Sequence, residues 1–449
     1  MRHTHLLKPF LRYASLNVLG MLGLSCYILA DTFFVSQGLG ANGLAALNLA
    51  IPVYSLIHGA GLMLGMGAAT RYAICRSRGE TAAANAVFTH ALLLAGVLAV
   101  LFWGTGLFFA RPLTALLGAD ADTFAMTHTY LRVLLLFSPA FLANDVLLCL
   151  VRSDGSPQLA MLGMVGGSLS NILLDYVFIF PLGMGILGAV LATGLAPVVS
   201  MAFLSRHWRK KEDACHPVRT RLCPAETGRI LALGFPSLVT EVSSGIVIIV
   251  FNRILLGLAG NVGVAAYGVV ANLSLVAVAV YTGIAQGVQP LLSAACGRGD
   301  RQAQQRLLRY ALVCAEGISA GLYLLLCCFA GPVAWVFNSE NNPQLQEIAV
   351  SGLRLYFTAL SFVGFNILLS VYFTSTEQPA PAHAVSLLRG LVVIVPMAFL
   401  LTAWWDITGV WLAFPVTEGL VALLGAGIYL LMRRREWEIP VTPPAGGKQ

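Results

Sequence analysis

The sequence predicts an all-α membrane protein that crosses the bilayer twelve times, as two six-helix bundles lying parallel to one another. Three observations carry that prediction: an apolar composition broken at regular intervals, an alternation of basic residues between successive breaks, and an internal repeat.

The chain has 449 residues, of which 58% are hydrophobic and only 10% charged. A soluble domain carries roughly 25% charged residues. Mean hydropathy is +0.80. A helix needs about 20 apolar residues to cross the hydrocarbon core. Such stretches occur at 11–36, 43–68, 84–110, 127–151, 158–181, 186–206, 231–257, 264–292, 307–332, 349–373, 384–403 and 408–432. The breaks between them carry Gly38, Gly40, Pro112, Pro157, Pro181, Gly260, Pro332, Pro379, Pro381 and Asp406. The first stretch is too long for a signal-peptide core and lacks a small-residue cleavage site after it, so no leader is expected.

Basic residues collect in every second break. One set runs from Arg2, Lys8 and Arg12 through Arg71, Arg76 and Arg78 to Arg152. It continues through the long 207–230 segment, the Arg298–Arg309 region and Arg433 to Arg435. The other set holds Arg111 alone, beside Asp120, Asp122, Glu340, Glu347 and Asp406. The positive-inside rule then places both termini in the cytoplasm and the protein in the inner membrane. A net charge of +7 would otherwise suggest nucleic acid. These cations sit in short loops beside apolar spans, so no nucleic-acid partner is expected.

A shift of 220 residues superposes the halves. Gly40 meets Gly260, Ala45-Ala46 meets Ala265-Ala266, Gly67 meets Gly287, Arg78-Gly79-Glu80 meets Arg298-Gly299-Asp300, and Pro112 meets Pro332. After a slip of two, Asn144 meets Asn366 and Pro157 meets Pro379. Six spans per half is an even number, so both halves enter from one side, and their pseudo-twofold axis lies along the membrane normal. The expected organisation is an N-terminal bundle over 1–206, a cytoplasmic linker over 207–230, a C-terminal bundle over 231–435 and a disordered cytoplasmic tail over 436–449. Two facing bundles suit alternating access, and one chain supplying both suits a monomer in lipid.

Charges inside spans cost at least about 2.5–3.5 kcal/mol, which marks them as functional candidates. Asp31 and Asp175 are expected near the outer ends of the first and fifth spans. Asn171 lies one turn from Asp175 on the same face, Thr193 lies at similar depth on the sixth span, and Asn144 lies deeper on the fourth. Two carboxylates with amide and hydroxyl oxygens form a hard site for a small cation or a shared proton. Asp31, Asn171, Asp175 and Thr193 align with about Phe251, Val393, Met397 and Phe414 in the second half. The scaffold is duplicated and the polar cluster is not, which points to a coupling-ion role for H+ or Na+. Glu241 is a candidate for substrate or proton binding. Glu316 and Glu418 read as structural, and Asp145 as facing cytoplasmic water. Arg132 and Arg354 read as snorkelling cations, with pairing to Asp31 or Asp175 left open.

Cys215, His216 and Cys223 share one loop, at a spacing that matches no standard zinc site. No metal and no cofactor are therefore expected, apart from Na+ as an ion that Asp31 and Asp175 could hold. His58, His90 and His128 read as isolated, and no nucleophile motif accompanies them. That argues against an enzyme such as a membrane-embedded transferase.

Three stretches together resemble the multidrug and toxic compound extrusion (MATE) family, over nearly the whole chain. They are Ala30-Asp31-Thr32-Phe33-Phe34-Val35 with Gly43-Leu44-Ala45-Ala46, then Arg152-Ser153-Asp154-Gly155-Ser156-Pro157. The third is Asn171-Ile172-Leu173-Leu174-Asp175 through Gly188-Ala189 to Ala192-Thr193. The resemblance implies a V-shaped exporter that antiports cationic and aromatic drugs or toxic metabolites against H+ or Na+. It also implies a cation site in the N-terminal bundle at Asp31, Asn144, Asn171, Asp175 and Thr193. Other branches carry a carboxylate in the tenth helix, and the 349–373 span here has none. The alternative within the same superfamily is a flippase for lipid-linked precursors, which usually shows a basic cavity and often extra helices.

Overall fold

The computed structural model describes residues 4–210, 214–221, 223–338 and 342–438. Arg2, Lys211, Glu340 and the tail from 439 onward lie outside the described residues. Residues 436–438, expected to begin a disordered tail, continue the last helix. Among the described residues there are helices and connecting turns and no strand. That is the solution open to a chain whose backbone groups must be satisfied within lipid.

Twelve spans result once the merged helices are divided at their breaks. A single run, Thr4–Ser77, turns at Gly40 (φ 66, ψ −158) into α1 (Leu6–Gly40) and α2 (Asn42–Ser77). Then follow α3 (Thr81–Phe108), α4 (Phe124–Leu136 with Ser138–Ser153), α5 (Pro157–Ile179) and α6 (Ile186–Leu204). The two segments of α4 are bent by 49°. Pro139 begins the second segment and has no N–H to carry the ladder through, which accounts for the bend.

The second half repeats the pattern. The run Pro224–Gly297 turns at Gly260 (φ 61, ψ −151) into α7 (224–259) and α8 (261–297). After these come α9 (Arg301–Cys328) and α10 (Pro343–Ser375). The last run, Pro379–Arg434, reverses at Trp405 and Asp406 into α11 and α12. Gly40 and Gly260 adopt nearly the same left-handed backbone, which a Cβ would disfavour. α3 and α9 each have 28 residues. The repeat is thus present in backbone geometry as well as in sequence.

The helices exceed the apolar spans at their ends, because hydropathy marks only the part in hydrocarbon. α1 runs to Gly40, so Asp31 lies about two and a half turns before that end of the helix. Short helices Ala110–Leu116 and Ala330–Phe337 carry Pro112 and Pro332 inside them. The chain breaks instead at Phe109 and Phe329.

The halves meet on the face that bears the basic loops. There Gly67 on α2 leaves no room for a Cβ against the Ile230 carbonyl of α7, and Gly234 leaves none against the Met63 carbonyl. A Cβ at Gly283 or Gly287 of α8 would stand 2.7 Å from the backbone of Val18 or Tyr13 on α1. Arg152 donates to both Asn17 Oδ1 (2.7 Å) and Gln286 Oε1 (2.8 Å), and Gln289 Nε2 donates to Thr70 Oγ1 (2.9 Å). Arg71 pairs with Glu226 (2.7 Å) and with Glu377. Toward the other face, Gly40, Gly245 and Gly260 have nothing within 4 Å of where a Cβ would stand. The halves are held together on the basic side by these close approaches and hydrogen bonds.

Candidate functional site

Parallel packing of α1 on α5 builds the first cluster. Gly20 lies against Met164, Gly23 against Val165 and Ser168, and Gly38 against Ile179. That register sets Asp31 opposite Asp175. Both are buried, Asp175 fully, and their carboxyls are hydrogen-bond neighbours. Oriented to satisfy its surroundings, the Asn171 amide donates to Asp175 Oδ2 (3.0 Å) and accepts from the Thr193 backbone N–H (3.2 Å). Thr193 Oγ1 donates back to the Ala189 carbonyl at 3.1 Å. The close α5–α6 approach needs Gly188, whose Cβ would stand 2.8 Å from Phe178 Cβ.

Four of the five expected residues therefore meet: Asp31, Asn171, Asp175 and Thr193. Asn144 makes no hydrogen bond to them among the described residues. Its Oδ1 is buried without a partner, as are Asp31 Oδ1 and Asp175 Oδ1. Buried polar atoms are nearly always satisfied. The orphaned oxygens of Asp31 and Asp175 thus leave lone pairs for a proton or a small cation, and Asn144 leaves another on α4. Tyr130 reaches Thr193 from α4. Tyr27, one turn before Asp31, shares a 2.7 Å hydrogen bond with Tyr54 on α2.

Glu241 lies elsewhere, on α7 at the seam between the halves, and there two expectations are corrected. His58 is not isolated: its Nδ1 lies 2.9 Å from Asp145 Oδ2. Asp145 does not face water: it is 5% exposed and packed beside Gly61. Neither residue has a sequence neighbour that announces the pairing, since 87 positions separate them. The only local signal is Tyr54 at one turn from His58, its ring stacked on the imidazole at 5.9 Å. His90 is not isolated either, accepting from the Cys223 backbone N–H at 2.9 Å.

The remaining candidates sort by partner. Glu418 is buried with Arg389 (2.6 Å) and Asn366 (2.7 Å), consistent with its structural reading. A π-helical turn over Leu388–Val392 carries Arg389 into this pair. Glu316 accepts from Ser361 at 2.9 Å in an exposed position. Arg132 and Arg354 are exposed and do not pair with Asp31 or Asp175. Cys215 does not join Cys223. Its N–H donates to Asp154 Oδ2 (3.2 Å), which also binds His207 Nε2 (2.8 Å), while Tyr72 donates to Oδ1 (2.8 Å). Asp154, His207 and Cys215 bring their ligand atoms within 4.8 Å, but these donors already occupy the carboxylate. It anchors the segment after α6 to the end of α4.

Residues 18–177 and 236–400, one block in each half, match the MatE family. The chain belongs to that family. Multidrug export protein MepA of Staphylococcus aureus is 26% identical over 438 residues, covering 95% of this chain and 94% of the relative. An outward-facing multidrug resistance MATE transporter of the MOP superfamily superposes with a TM-score of 0.88 at 27% identity, over 95% of both chains. A MOP superfamily transporter from Pyrococcus furiosus superposes equally well, with a TM-score of 0.88 at 27% identity over 96% of this chain and 97% of its own. For that transporter, a reversed polarity of the binding pocket suggests a different function. This MATE protein is accordingly an integral membrane transporter of twelve helices in two bundles.

Proposed function

We propose that this MATE transporter is a multidrug exporter that antiports cationic and aromatic small molecules against H+ or Na+ held between Asp31 and Asp175. The single observation that supports the coupling role is the buried carboxylate pair with its orphaned oxygens. Two carboxylates facing one another away from water favour a shared proton or a bound cation between them. Asn171 and Thr193 hold the pair in place, and Asn144 supplies a further unpaired oxygen from α4.

The cycle follows from differential affinity. An ion shifts a two-state equilibrium only by as much as it prefers one state. Neutralising the pair removes the penalty of keeping α1 packed on α5, and α1 also forms part of the basic-side seam through Asn17 and Val18. Ion binding in the N-terminal half is thereby tied to opening of that seam. In the cell the basic face is the cytoplasmic one, both termini lie there, and the chain works in the inner membrane as a monomer.

The test is efflux of a fluorescent cationic dye from everted vesicles, driven by a proton gradient or a sodium gradient alone. Wild-type transport under one gradient, abolished in Asp31→Asn of equal membrane abundance, is the expected result. If neither gradient moves any dye of a wide panel, the multidrug reading fails and lipid-linked substrates become the next assay.

A further inference from the structure

Where the ends of α2, α7 and α11 converge on the basic face, the halves enclose a cavity of about 640 Å³. Arg71 and Arg78 line it from the N-terminal half, and Arg229 and Glu377 from the C-terminal half. The ion site between Asp31 and Asp175 makes no use of it. Its charges are not a product of the repeat. The 220-residue offset carries Arg78 onto Arg298, but Arg71 falls on Leu291, Glu226 on Leu6 and Arg229 on Pro9. After the two-residue slip, Glu377 corresponds to Gly155. Both hold a left-handed backbone, with φ 88 at Gly155 and φ 59 at Glu377. Glycine takes that conformation freely, and a residue with a Cβ takes it at a cost. The second half accepts that cost where it sets a carboxylate against Arg71. Strain of this kind persists where the surroundings impose it, and it gathers at ligand sites.

Both carboxylates are engaged by one cation. Glu226 takes two Arg71 donors, at 2.7 and 3.1 Å, and Glu377 takes a third. Arg71 is buried, while Arg78 and Arg229 stand exposed at the rim. Arg78 Nε donates to the Gly297 carbonyl at 3.3 Å, and Arg229 comes no closer to Glu226 than 4.0 Å. Among the described residues, no carboxylate pairs with Arg78. Three guanidiniums against two carboxylates leave one positive charge, and the two rim cations come from opposite halves.

Position and walls indicate which anion. Ala225, Gly228 and Ala232 line the cavity from one face of α7, at helical spacing. A Cβ at Gly228 would meet nothing within 4 Å. The wall beside the cations is therefore small and apolar. Three spans end here, at the level where hydrocarbon gives way to phospholipid headgroups, and basic pockets between spans at that level recognise headgroup phosphate. Guanidinium forks match phosphate oxygens two at a time. A phosphodiester carries one negative charge, which equals the surplus in the cavity. Its glycerol and acyl chains suit the apolar wall.

We propose that this cavity binds the phosphodiester of an anionic phospholipid between Arg78 of one half and Arg229 of the other, so that the lipid helps to hold the halves together on the basic face. A ligand that touches both halves favours the state in which they are close, by its difference in affinity for the two states. A zwitterionic lipid brings a cation along with its phosphate and gains less from the surplus charge. Free phosphate offers the same oxygens without the acyl chains, and the test separates the two.

The experiment is native mass spectrometry of the purified full-length protein, titrated with phosphatidylglycerol or phosphatidylcholine at fixed ionic strength. Phosphatidylglycerol should bind roughly tenfold tighter. Arg78→Gln with Arg229→Gln leaves the Arg71 pairs intact and should remove that preference. Arg219→Gln with Arg221→Gln, outside the cavity, should change it by less than about twofold. Millimolar inorganic phosphate should leave the lipid bound. Spin labels at Ala82 and Gln302, in bilayer discs of either lipid, should show the population open on the basic side about threefold smaller with phosphatidylglycerol. Equal affinity for the two lipids, or a preference that survives in the Arg78 and Arg229 variant, overturns the site. Displacement by inorganic phosphate overturns the lipid as its ligand, and an unchanged distance distribution overturns the bridge between the halves. None of these readouts uses a drug or an ion gradient, so each outcome is separate from the export reading.

Discussion

The two halves share a scaffold and differ in what they place at equivalent positions. Where the first half has Asp31, the repeat places Phe251, which is buried and stacked on Tyr267 at 5.4 Å. Where the first has Thr193, the second has Phe414, stacked on Tyr356 at 4.4 Å and 6°. The side-chain oxygens of Asn144 and its counterpart Asn366 are both buried without a partner, and the Asn366 amide also donates to Glu418. One half leaves carboxylates for a ligand to complete. The other fills the same space with aromatic contacts and pairs its own buried carboxylate with Arg389. Duplicated architecture with one polar and one apolar lining is the asymmetry on which the proposed ion coupling rests.

The largest expected effect breaks that asymmetry. Asp175→Asn should reduce gradient-driven dye efflux to the level of vesicles without the protein, whereas Phe251→Leu should transport measurably. Equal loss in both would mean that the two positions serve packing alike.

Next comes the C-terminal pair. Glu418→Ala leaves the half-buried Arg389 guanidinium without its carboxylate and should cost about 1.5–3 kcal/mol in unfolding. The double change Glu418→Leu with Arg389→Met should recover most of that stability and keep efflux. Thermal unfolding in detergent gives the first number, and the vesicle assay the second. Efflux lost in a stable double variant would show that this half, too, carries a working charge.

A smaller effect is expected at the seam. Arg71 ties α2 to Glu226 in the first turn of α7 and to Glu377 after α10, where Glu377 holds a left-handed backbone (φ 59). Arg71→Ala should raise the population open on the basic side by about five- to tenfold, or about 1–1.4 kcal/mol. Spin labels at Ala82 and Gln302 would report it as a longer inter-label distance. An unchanged distribution would place the closure in the glycine contacts alone.

The smallest lies in the loops opposite the basic face. Thr123 donates its hydroxyl (2.7 Å) and its N–H (2.9 Å) to Asp120, which holds that exposed carboxyl below the usual carboxylate range. In the second half neutral amides do the same work, with Asn342 Oδ1 accepting from Gln344 and Leu345 N–H groups. A depressed carboxyl contributes stability above its unfolded pKa and loses it as pH falls through the folded one. Acid should therefore lower the hydrogen-exchange protection factor at Thr123 and leave those at Gln344 and Leu345 unchanged.

The sequence by itself determined the architecture. Span count, parallel halves and the paired glycine breaks are functions of hydropathy and offset, because lipid permits few folds and a duplicated gene repeats its register. It also isolated Asp31, Asn171, Asp175 and Thr193, since a charge in hydrocarbon is costly enough to be conspicuous one residue at a time. The helix that carries Asp31 runs on to Gly40, past the apolar run that marks it in the sequence. Tertiary structure alone decided the partners. Which carboxylate keeps an orphaned oxygen, that His58 closes on Asp145, and that Arg71 bridges to Glu377 all depend on how helices distant in sequence pack. A glycine at 59, 61 or 67 shows what it admits only when the opposing helix is in place.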